Sequence, residues 1–316
     1  MRPRLTRVRA KTTLGIVLLT ISLFGSGWYG TSIAATDSVV RDEPIKVLAT
    51  LPVLKDLVQE IGRDRVTVTS VLSGLENAHT YTPKPADLLA IQDARMLVRV
   101  GLGLEVWLDA LIEHANNPRL LTITTSVGVP VLKNQVITAP SDDPHAMGDP
   151  HIWLDPENAK LMVRHISEGL IKIDPAHKNE YLRNQARYIQ DLDQTQRRLR
   201  MKLKPIQNRK IITHQAAWSY FARRFGFAIR GSIISEFGTD PSPKHLSDLV
   251  QMIKADKIRV IVSEPQLNPT PPQILARETG ARVVVLTQNP GVLPGTETYR
   301  SMIEYNTDQL VNALKE

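Results

Sequence analysis

Three histidines of this chain stand in sequence settings that suit a metal ligand. His151 lies in the segment 149–156, Asp-Pro-His-Ile-Trp-Leu-Asp-Pro, between prolines and carboxylates, and His79 and His214 have comparably rigid surroundings. Neutral imidazole is the commonest ligand for borderline divalent cations, and three imidazoles with a fourth oxygen ligand form a tetrahedral site of the zinc type. These residue types therefore predict a metal-binding protein.

The other five histidines have ordinary surroundings. Four of them fall inside or at the starts of predicted helices, with no carboxylate or turn to aim them at one point: His114, His165, His177 and His245. A solitary histidine is more often a surface or hydrogen-bonded core residue than a ligand. His145 lies in an acidic, loop-like segment at 139–148 and is a candidate accessory ligand, although a solvated loop is the simpler interpretation.

Composition and charge exclude a nucleic-acid partner. The chain has 316 residues, enough for two domains, and its 42% hydrophobic and 22% charged residues are typical of a globular protein. Five of the basic residues stand within the first eleven positions: Arg2, Arg4, Arg7, Arg9 and Lys11. Without them, 34 basic residues remain against 32 acidic ones, a net charge of +2, and no aromatic-interleaved basic patch is present.

The first 35 residues match a secretory signal peptide. Basic residues are followed by an apolar stretch at 14–28 and then by the small residues Ser32, Ala34 and Ala35. The apolar stretch is shorter than the roughly 20 residues needed to span a bilayer, which favours cleavage over an uncleaved anchor. Because the chain has no cysteine, it carries neither disulfides nor a lipidated cysteine. We therefore expect a soluble periplasmic protein.

Alternating strand and helix patterns predict two α/β lobes. In the first lobe, strands are predicted over 45–49, 66–72, 96–100 and 120–123, with helices over 52–61, 85–92 and 104–115. In the second lobe, strands are predicted over 210–213, 227–234, 259–263 and 282–286, with helices starting near Ala216, Pro243 and Pro269 and a last helix over 297–314. Strands separated by helices of this length form parallel sheets with helices on their faces.

One long helix is predicted between the lobes. It starts at Asp174-Pro175 and runs for nearly thirty residues to Pro205, about 40 Å at 1.5 Å per residue. Gln196 interrupts its apolar stripe and no sustained heptad follows, which favours an intramolecular connector over a coiled-coil dimerisation arm. We therefore divide the chain into a signal peptide (1–35), an N-terminal lobe (36–174), a connecting helix (175–204) and a C-terminal lobe (205–316), and expect a monomer.

The candidate ligands come from both predicted lobes. Ligands of open parallel sheets bind in the crevice beyond the carboxyl ends of the strands. His214 and Glu264 directly follow strands of the second lobe, His79 lies in a loop that follows a strand of the first lobe, and His151 belongs to that same lobe. A single cation bound between the lobes would satisfy this arrangement.

The motifs of this chain resemble those of the cluster A-I solute-binding proteins of ABC transporters, a family that captures zinc or manganese. The matching segments are 79–87, 101–108, 149–156, 213–226, 241–243, 264–266 and 278–281. The resemblance covers nearly all of the mature chain. It implies a protein that is not an enzyme, with two α/β lobes, one backbone helix and a metal between the lobes. It also implies a membrane permease and an ATPase as partners.

The same resemblance implies a set of metal ligands. It places the first two on His79 and His151 and the third, commonly His in zinc binders and Glu in manganese binders, on His214. Nitrogen ligands favour Zn²⁺ over Mn²⁺ as the transported ion. The usual fourth ligand is an aspartate soon after the last strand, but residues 286–291 here are Leu-Thr-Gln-Asn-Pro-Gly. Glu264 is the best replacement for this aspartate, either as a ligand or as a hydrogen-bond acceptor for a ligating imidazole. If Glu264 does not bind the metal, water or the loop around His145 would supply the fourth ligand.

Two other classes of protein remain open. A periplasmic zinc hydrolase would use three protein ligands and an activated water, but the chain has no His-Glu-x-x-His motif, no Gly-x-Ser-x-Gly motif and no evident base except Glu264. A binding protein for haem, siderophore or cobalamin would need a wide aromatic cleft, whereas aromatic residues are only 5% of this chain.

Overall fold

The computed structural model describes residues 43–133, 148–234 and 240–315. The predicted signal peptide, the first residues of the predicted N-terminal lobe and His145 lie outside these ranges. Within them the chain forms two four-stranded parallel sheets with helices on their faces, so the predicted α/β class with two parallel-sheet lobes is confirmed. Over the same ranges, no helix combines the length and the apolar character needed to cross a membrane.

The first lobe is built on a sheet with the strand order β2-β1-β3-β4. Its strands are β1 Ile45–Ala49, β2 Val66–Ser70, β3 Met96–Arg99 and β4 Leu121–Thr124, all parallel. Its helices are α1 Pro52–Gly62, α2 Pro85–Asp93 and α3 Leu108–Ala115. Proline stands at the start of α1 and α2, where its missing N–H leaves no helical hydrogen bond unmade.

The start of α3 differs from the prediction. The helix was expected from residue 104 but begins at Leu108. Gly101, Leu102 and Gly103 all adopt positive φ angles, of 87°, 56° and 74°. These residues form the loop before residue 104, and residues 104–107 continue it as turns, because the buried Glu105 carboxylate folds back to accept hydrogen bonds from the Val100 and Gly101 backbone N–H groups.

Two long helices follow the first sheet, α4 Pro156–Ile173 and α5 Lys178–Leu203. The sequence patterns placed His165 in a helix without giving its bounds; that helix is α4, and Asp155 caps it by accepting a hydrogen bond from the Glu157 backbone N–H. The predicted long connecting helix is present as α5, which has 26 residues and spans about 39 Å. It begins at Lys178 because residues Pro175–His177 form a separate 3₁₀ turn.

Helix α5 packs within its own chain, against α1, α4 and α9 Tyr299–Lys315. Gln196, the polar residue in its apolar stripe, is buried, and its amide nitrogen donates a 2.8 Å hydrogen bond to the Glu157 carboxylate at the start of α4. A paired polar group of this kind is tolerated inside a helix interface. The arrangement supports a connector role for α5.

The second lobe repeats the topology of the first. Its strands are β5 Lys210–Thr213, β6 Ala228–Ser232, β7 Val260–Ser263 and β8 Arg282–Val285, in the order β6-β5-β7-β8. Its helices are α6 Ser219–Phe225, α7 Pro243–Asp256 and α8 Thr270–Thr279, together with α9. Helix α6 begins three residues later than predicted.

One hydrophobic core runs through both lobes. The same cluster of buried side chains contains Val47 of β1, Trp153, Phe221 of α6, Val260 of β7 and Tyr299 of α9. Apolar burial of this kind is the main stabilising contribution to folding. The two sheets are therefore held together by packing as well as by α5.

Candidate metal centre

A small cavity lies between the two lobes, beyond the carboxyl ends of the strands. It has a volume of about 50 Å³, and residues of both lobes line it, among them His79, His151, Gln215, Gln288 and Asn289. This volume accommodates an ion with one or two small ligands, whereas pockets for organic cofactors have volumes of roughly 300–1,000 Å³. The cavity therefore suits a bare cation rather than haem, a siderophore or cobalamin.

His151 is held by a carboxylate two residues before it. Oδ1 of Asp149 accepts hydrogen bonds from the His151 backbone N–H at 3.0 Å and from Nδ1 of its ring at 2.8 Å, and both residues are buried. A carboxylate accepts hydrogen bonds, so this contact favours the ring tautomer with its proton on Nδ1, in which Nε2 has a free lone pair. Asp149 thus prepares the ring to bind a cation through Nε2, as outer carboxylates do for metal-ligating histidines.

His79 lies beside His151. The centroids of the two rings are 5.4 Å apart, with the planes tilted by 58°. Zn–N bonds of about 2.0–2.1 Å put each ring centroid roughly 3 Å from a bound zinc, so two ligating rings have centroids at most roughly 6 Å apart. The observed separation allows both rings to bind one ion.

The loop that carries His79 is held by two hydrogen bonds from its surroundings. The His79 backbone N–H donates to the Asn77 side-chain oxygen at 2.9 Å, and the Trp107 indole donates to the Ala78 carbonyl at 2.9 Å. Such Asx turns fix the direction of the backbone. The contact with the Ala78 carbonyl gives Trp107 a direct part in placing His79.

His214 follows β5 and is buried, but it is not among the residues that line the cavity. Desolvation lowers the pKa of its imidazole to about 4, so the ring is neutral at neutral pH. Its Nδ1 lies 3.5 Å from the Ser263 hydroxyl. In the part of the chain that the structure describes, no group of three or more His, Cys, Asp or Glu side chains is arranged to hold a metal ion. The structure thus brings His79 and His151 together at the cavity, whereas His214 is not part of the cavity lining and its role as third ligand stays a prediction.

Glu264 follows β7 and lies at the centre of a ring of donors. Its Oε2 accepts hydrogen bonds from the side-chain amides of Gln215 at 2.8 Å, Gln266 at 2.8 Å and Gln288 at 2.5 Å. Its Oε1 accepts from the Trp218 indole at 3.0 Å. Burial raises the pKa of Glu264, and these four hydrogen bonds oppose that rise. With both oxygens engaged, this geometry favours an orienting role over direct metal ligation.

Sequence reasoning missed several residues around the cavity. Asp149 had a visible signal, because it stands two residues before His151 in the same motif. Glu76 also lines the cavity, and its carboxylate accepts from the Ser73 backbone N–H and hydroxyl at 2.8 and 2.7 Å. Gln288 and Asn289 had no signal of their own, because an amide side chain becomes informative only when its partners are known.

The lobes also contact each other through Trp153 and Gln288. The Trp153 indole donates a 2.8 Å hydrogen bond to the Gln288 backbone carbonyl, and the Tyr299 hydroxyl donates a 2.7 Å bond to the Trp153 carbonyl. The ring of Trp153 lies with its centroid 5.4 Å from that of His151. These contacts position the two walls of the cavity relative to each other.

Residues 47–313 of the chain match the family of the periplasmic zinc-uptake complex component A, ZnuA. The chain belongs to this family. Members of the family are substrate-binding proteins of metal ABC transporters, so this protein is a metal-binding receptor that works with a permease and an ATPase. The family consists of transport receptors, and it gives no support to the zinc hydrolase alternative.

Individual relatives agree with this assignment. The chain is 26% identical to the manganese-binding lipoprotein MntA of Halalkalibacterium halodurans, covering 97% of this chain and 99% of the relative. It is 25% identical to the iron-binding protein YfeA of Yersinia pestis, covering 93% and 94%. A crystal structure of ZnuA superimposes with a TM-score of 0.76 at 26% identity, covering 85% of this chain and 99% of that one. These names divide among zinc, manganese and iron, so family membership establishes a divalent transition metal as the ligand.

Proposed function

We propose that this ZnuA-family protein captures Zn²⁺ in the periplasm, in the cavity between its lobes, and delivers the ion unchanged to the membrane permease of an ATP-driven importer. The observation that carries the proposal is the pair His79 and His151, whose rings lie 5.4 Å apart on one small cavity. The hydrogen bond from Nδ1 of His151 to the Asp149 carboxylate supports this, because it favours the tautomer that binds a cation through Nε2.

His214 is proposed as the third ligand. Its imidazole is neutral, as a ligand must be, and it belongs to the lobe opposite His79 and His151. Binding through His214 would require its ring to move toward the cavity. Closure of the lobes around the ion would supply this movement and would hold the cation between both halves of the molecule.

Zinc is preferred over manganese because of the donor atoms. Imidazole nitrogen suits zinc, whereas carboxylate and carbonyl oxygen suit manganese. The cavity also contains oxygen donors, namely Glu76 and the amides of the second lobe, and these keep Mn²⁺ as the second candidate. With either Zn²⁺ or Mn²⁺ as the ligand, the protein would have the same role in transport and only the delivered ion would differ.

Metal content and competition would test the proposal. Protein purified from the periplasm without chelator should contain about one zinc per chain by elemental analysis. In a competitive titration, Zn²⁺ should displace Mn²⁺ at much lower concentration than the reverse exchange requires. Preferential retention of manganese would show that manganese, and not zinc, is the transported ion. The absence of tight binding to either ion would refute the transport role.

A further inference from the structure

The second lobe lines the cavity with side-chain amides gathered around one buried carboxylate. We propose that Glu264 is a positioning residue that turns these amides so that Gln288 and Asn289 present neutral carbonyl oxygens as ligands to the captured cation. This proposal rests on the proposed function and adds the oxygen ligands of the captured cation to the histidine nitrogens.

The first step is the orientation of the glutamines. Three NH₂ groups, from Gln215, Gln266 and Gln288, donate to Oε2 of Glu264. Because a carboxylate only accepts hydrogen bonds, a reversed amide would set two acceptor oxygens against each other. Each glutamine therefore directs its nitrogen at Glu264 and its oxygen away from it. All three side chains line the cavity, so an amide oxygen is the group each has left for a bound ion.

Gln288 is the best placed of the three. It is buried, and its backbone carbonyl accepts the indole N–H of Trp153 from the opposite lobe. Its amide donates the shortest of the three hydrogen bonds to Glu264, at 2.5 Å. Backbone and side chain are thus both held, and the remaining acceptor oxygen has a defined position.

Asn289 provides an independent observation. Its side chain is 8% exposed and lines the same cavity, and its Oδ1 is buried without a hydrogen-bond partner among the residues that the structure describes. Thr287 holds its backbone, since the Asn289 N–H donates to the Thr287 hydroxyl and that hydroxyl donates to the Asn289 carbonyl. A buried acceptor without a donor is unfavourable, and a cation would satisfy it.

The chemical consequence is a ligand shell without formal charge. Neutral imidazoles and amide oxygens would surround the ion, and the charge of Glu264 would lie one hydrogen bond further out. Affinity for hard cations rises with the number of charged oxygen ligands. A neutral shell therefore weakens Mn²⁺ binding more than Zn²⁺ binding, because zinc gains most from the imidazoles.

The experiment uses the mature chain loaded with zinc. Zinc affinity is measured by chelator competition, and the numbers of nitrogen and oxygen neighbours by X-ray absorption at the zinc edge. We expect Asn289→Ala and Gln288→Ala each to lose one oxygen neighbour and about tenfold in affinity. Glu264→Gln should produce a similar loss although both amides remain. Asn312→Ala, which removes an exposed amide on α9, should behave as wild type.

A gain-of-binding variant keeps the test independent of folding damage. Asn289→Asp has nearly the same shape and adds a charged oxygen, so we expect its Mn²⁺ affinity to rise at least tenfold and its preference for zinc to fall. The contrary outcome has two parts. Wild type would bind zinc in a way that depends on His151, and the variants Asn289→Ala, Gln288→Ala, Glu264→Gln and Asn289→Asp would all show the same number of oxygen neighbours and the same metal preference as wild type. The amide ligands would then be refuted and the transport function would stand. Absence of zinc and manganese binding in wild type would overturn both.

Discussion

At the residue scale, the pair of Asp149 and His151 shows how a carboxylate orients an imidazole. Oδ1 of Asp149 lies 2.8 Å from Nδ1 of the ring, and burial of both groups keeps water from competing for that hydrogen bond. His79 lies beside this ring, at a separation that would allow both imidazoles to bind one ion. The first lobe thus presents two nitrogen donors from loops that backbone hydrogen bonds already hold in place.

Removing either imidazole should sharply weaken metal binding. We expect His79→Ala and His151→Ala each to reduce zinc affinity by at least about 100-fold, because each deletes a proposed ligand rather than an outer partner. Chelator competition would measure the loss, and circular dichroism would show that the fold persists. His114→Ala is the matched control, since that residue is exposed and its Nδ1 bonds to the Ala110 carbonyl of its own helix. Unchanged affinity in either variant would remove that histidine from the site.

Replacing Asp149 should have a smaller effect. Asp149→Asn keeps the shape but loses the charge that fixes the Nδ1 proton, so we expect zinc affinity to fall by about 10–100-fold. Chelator competition would measure the loss. A variant indistinguishable from wild type would show that Asp149 is not needed to orient His151.

At the scale of elements, two contacts tie the first lobe to helices of the second. Asp155, fully buried at the start of α4, forms two hydrogen bonds with the Arg224 guanidinium of α6. Asp56 of α1 accepts a 2.9 Å hydrogen bond from the Tyr299 backbone N–H, which starts α9. Both contacts use a carboxylate of one lobe to satisfy a donor of the other.

Loss of Arg224 should destabilise the fold strongly. Arg224→Met would leave the Asp155 carboxylate buried without its main partner, and removing one member of such a pair lowers the free energy of unfolding by about 3–5 kcal/mol. Arg230→Met removes an exposed partner of Asp256 and should lower it by less than about 1 kcal/mol. Urea unfolding of the two variants would compare them. If the two variants lowered the free energy of unfolding equally, burial of the Asp155 carboxylate would not be what makes Arg224 important.

Asp56 should make stability depend on pH in the acid range. Burial raises its pKa to about 6 from the ordinary 3.8, partly offset by the hydrogen bond from Tyr299. The folded state therefore binds its proton more tightly than the unfolded state, and this contribution to stability is lost as pH rises from about 4 to about 6. We expect Asp56→Asn to raise the free energy of unfolding at pH 7.5 by about 1–2 kcal/mol relative to wild type. At pH 4 the two proteins should differ little.

At the scale of the whole molecule, the continuous core and the 26-residue α5 limit how far the lobes can separate. Trp153 and Tyr299 add hydrogen bonds across the cavity walls. Because the shared core would have to be broken for wide opening, release of the ion should involve small movements of lobes and loops.

Solution scattering would test this rigidity. We expect the radius of gyration of metal-free and zinc-bound protein to differ by less than about 1 Å, in keeping with the small shifts of packed elements past one another. Arg224→Met, which weakens a contact between lobes, should show a larger difference than Arg230→Met. A change of several ångström in wild type would indicate hinge opening and would contradict this description of the molecule.

The sequence alone predicted most of the strands and helices and singled out His79 and His151, and the tertiary structure decided which side chains meet at the cavity. Alternating strand and helix patterns and prolines at helix starts are local, so the two parallel sheets and most helices were predictable. Helix α3 was placed four residues too early because the turns at 104–107 depend on the burial of the Glu105 carboxylate and its hydrogen bonds to Val100 and Gly101. His79 and His151 stood out through their motifs. The amides of Gln215 and Gln288 reach Glu264 from separate segments, 49 and 24 residues away, and His214 is absent from the residues that line the cavity. Such features arise from contacts between residues far apart in the chain, which only the folded molecule brings together.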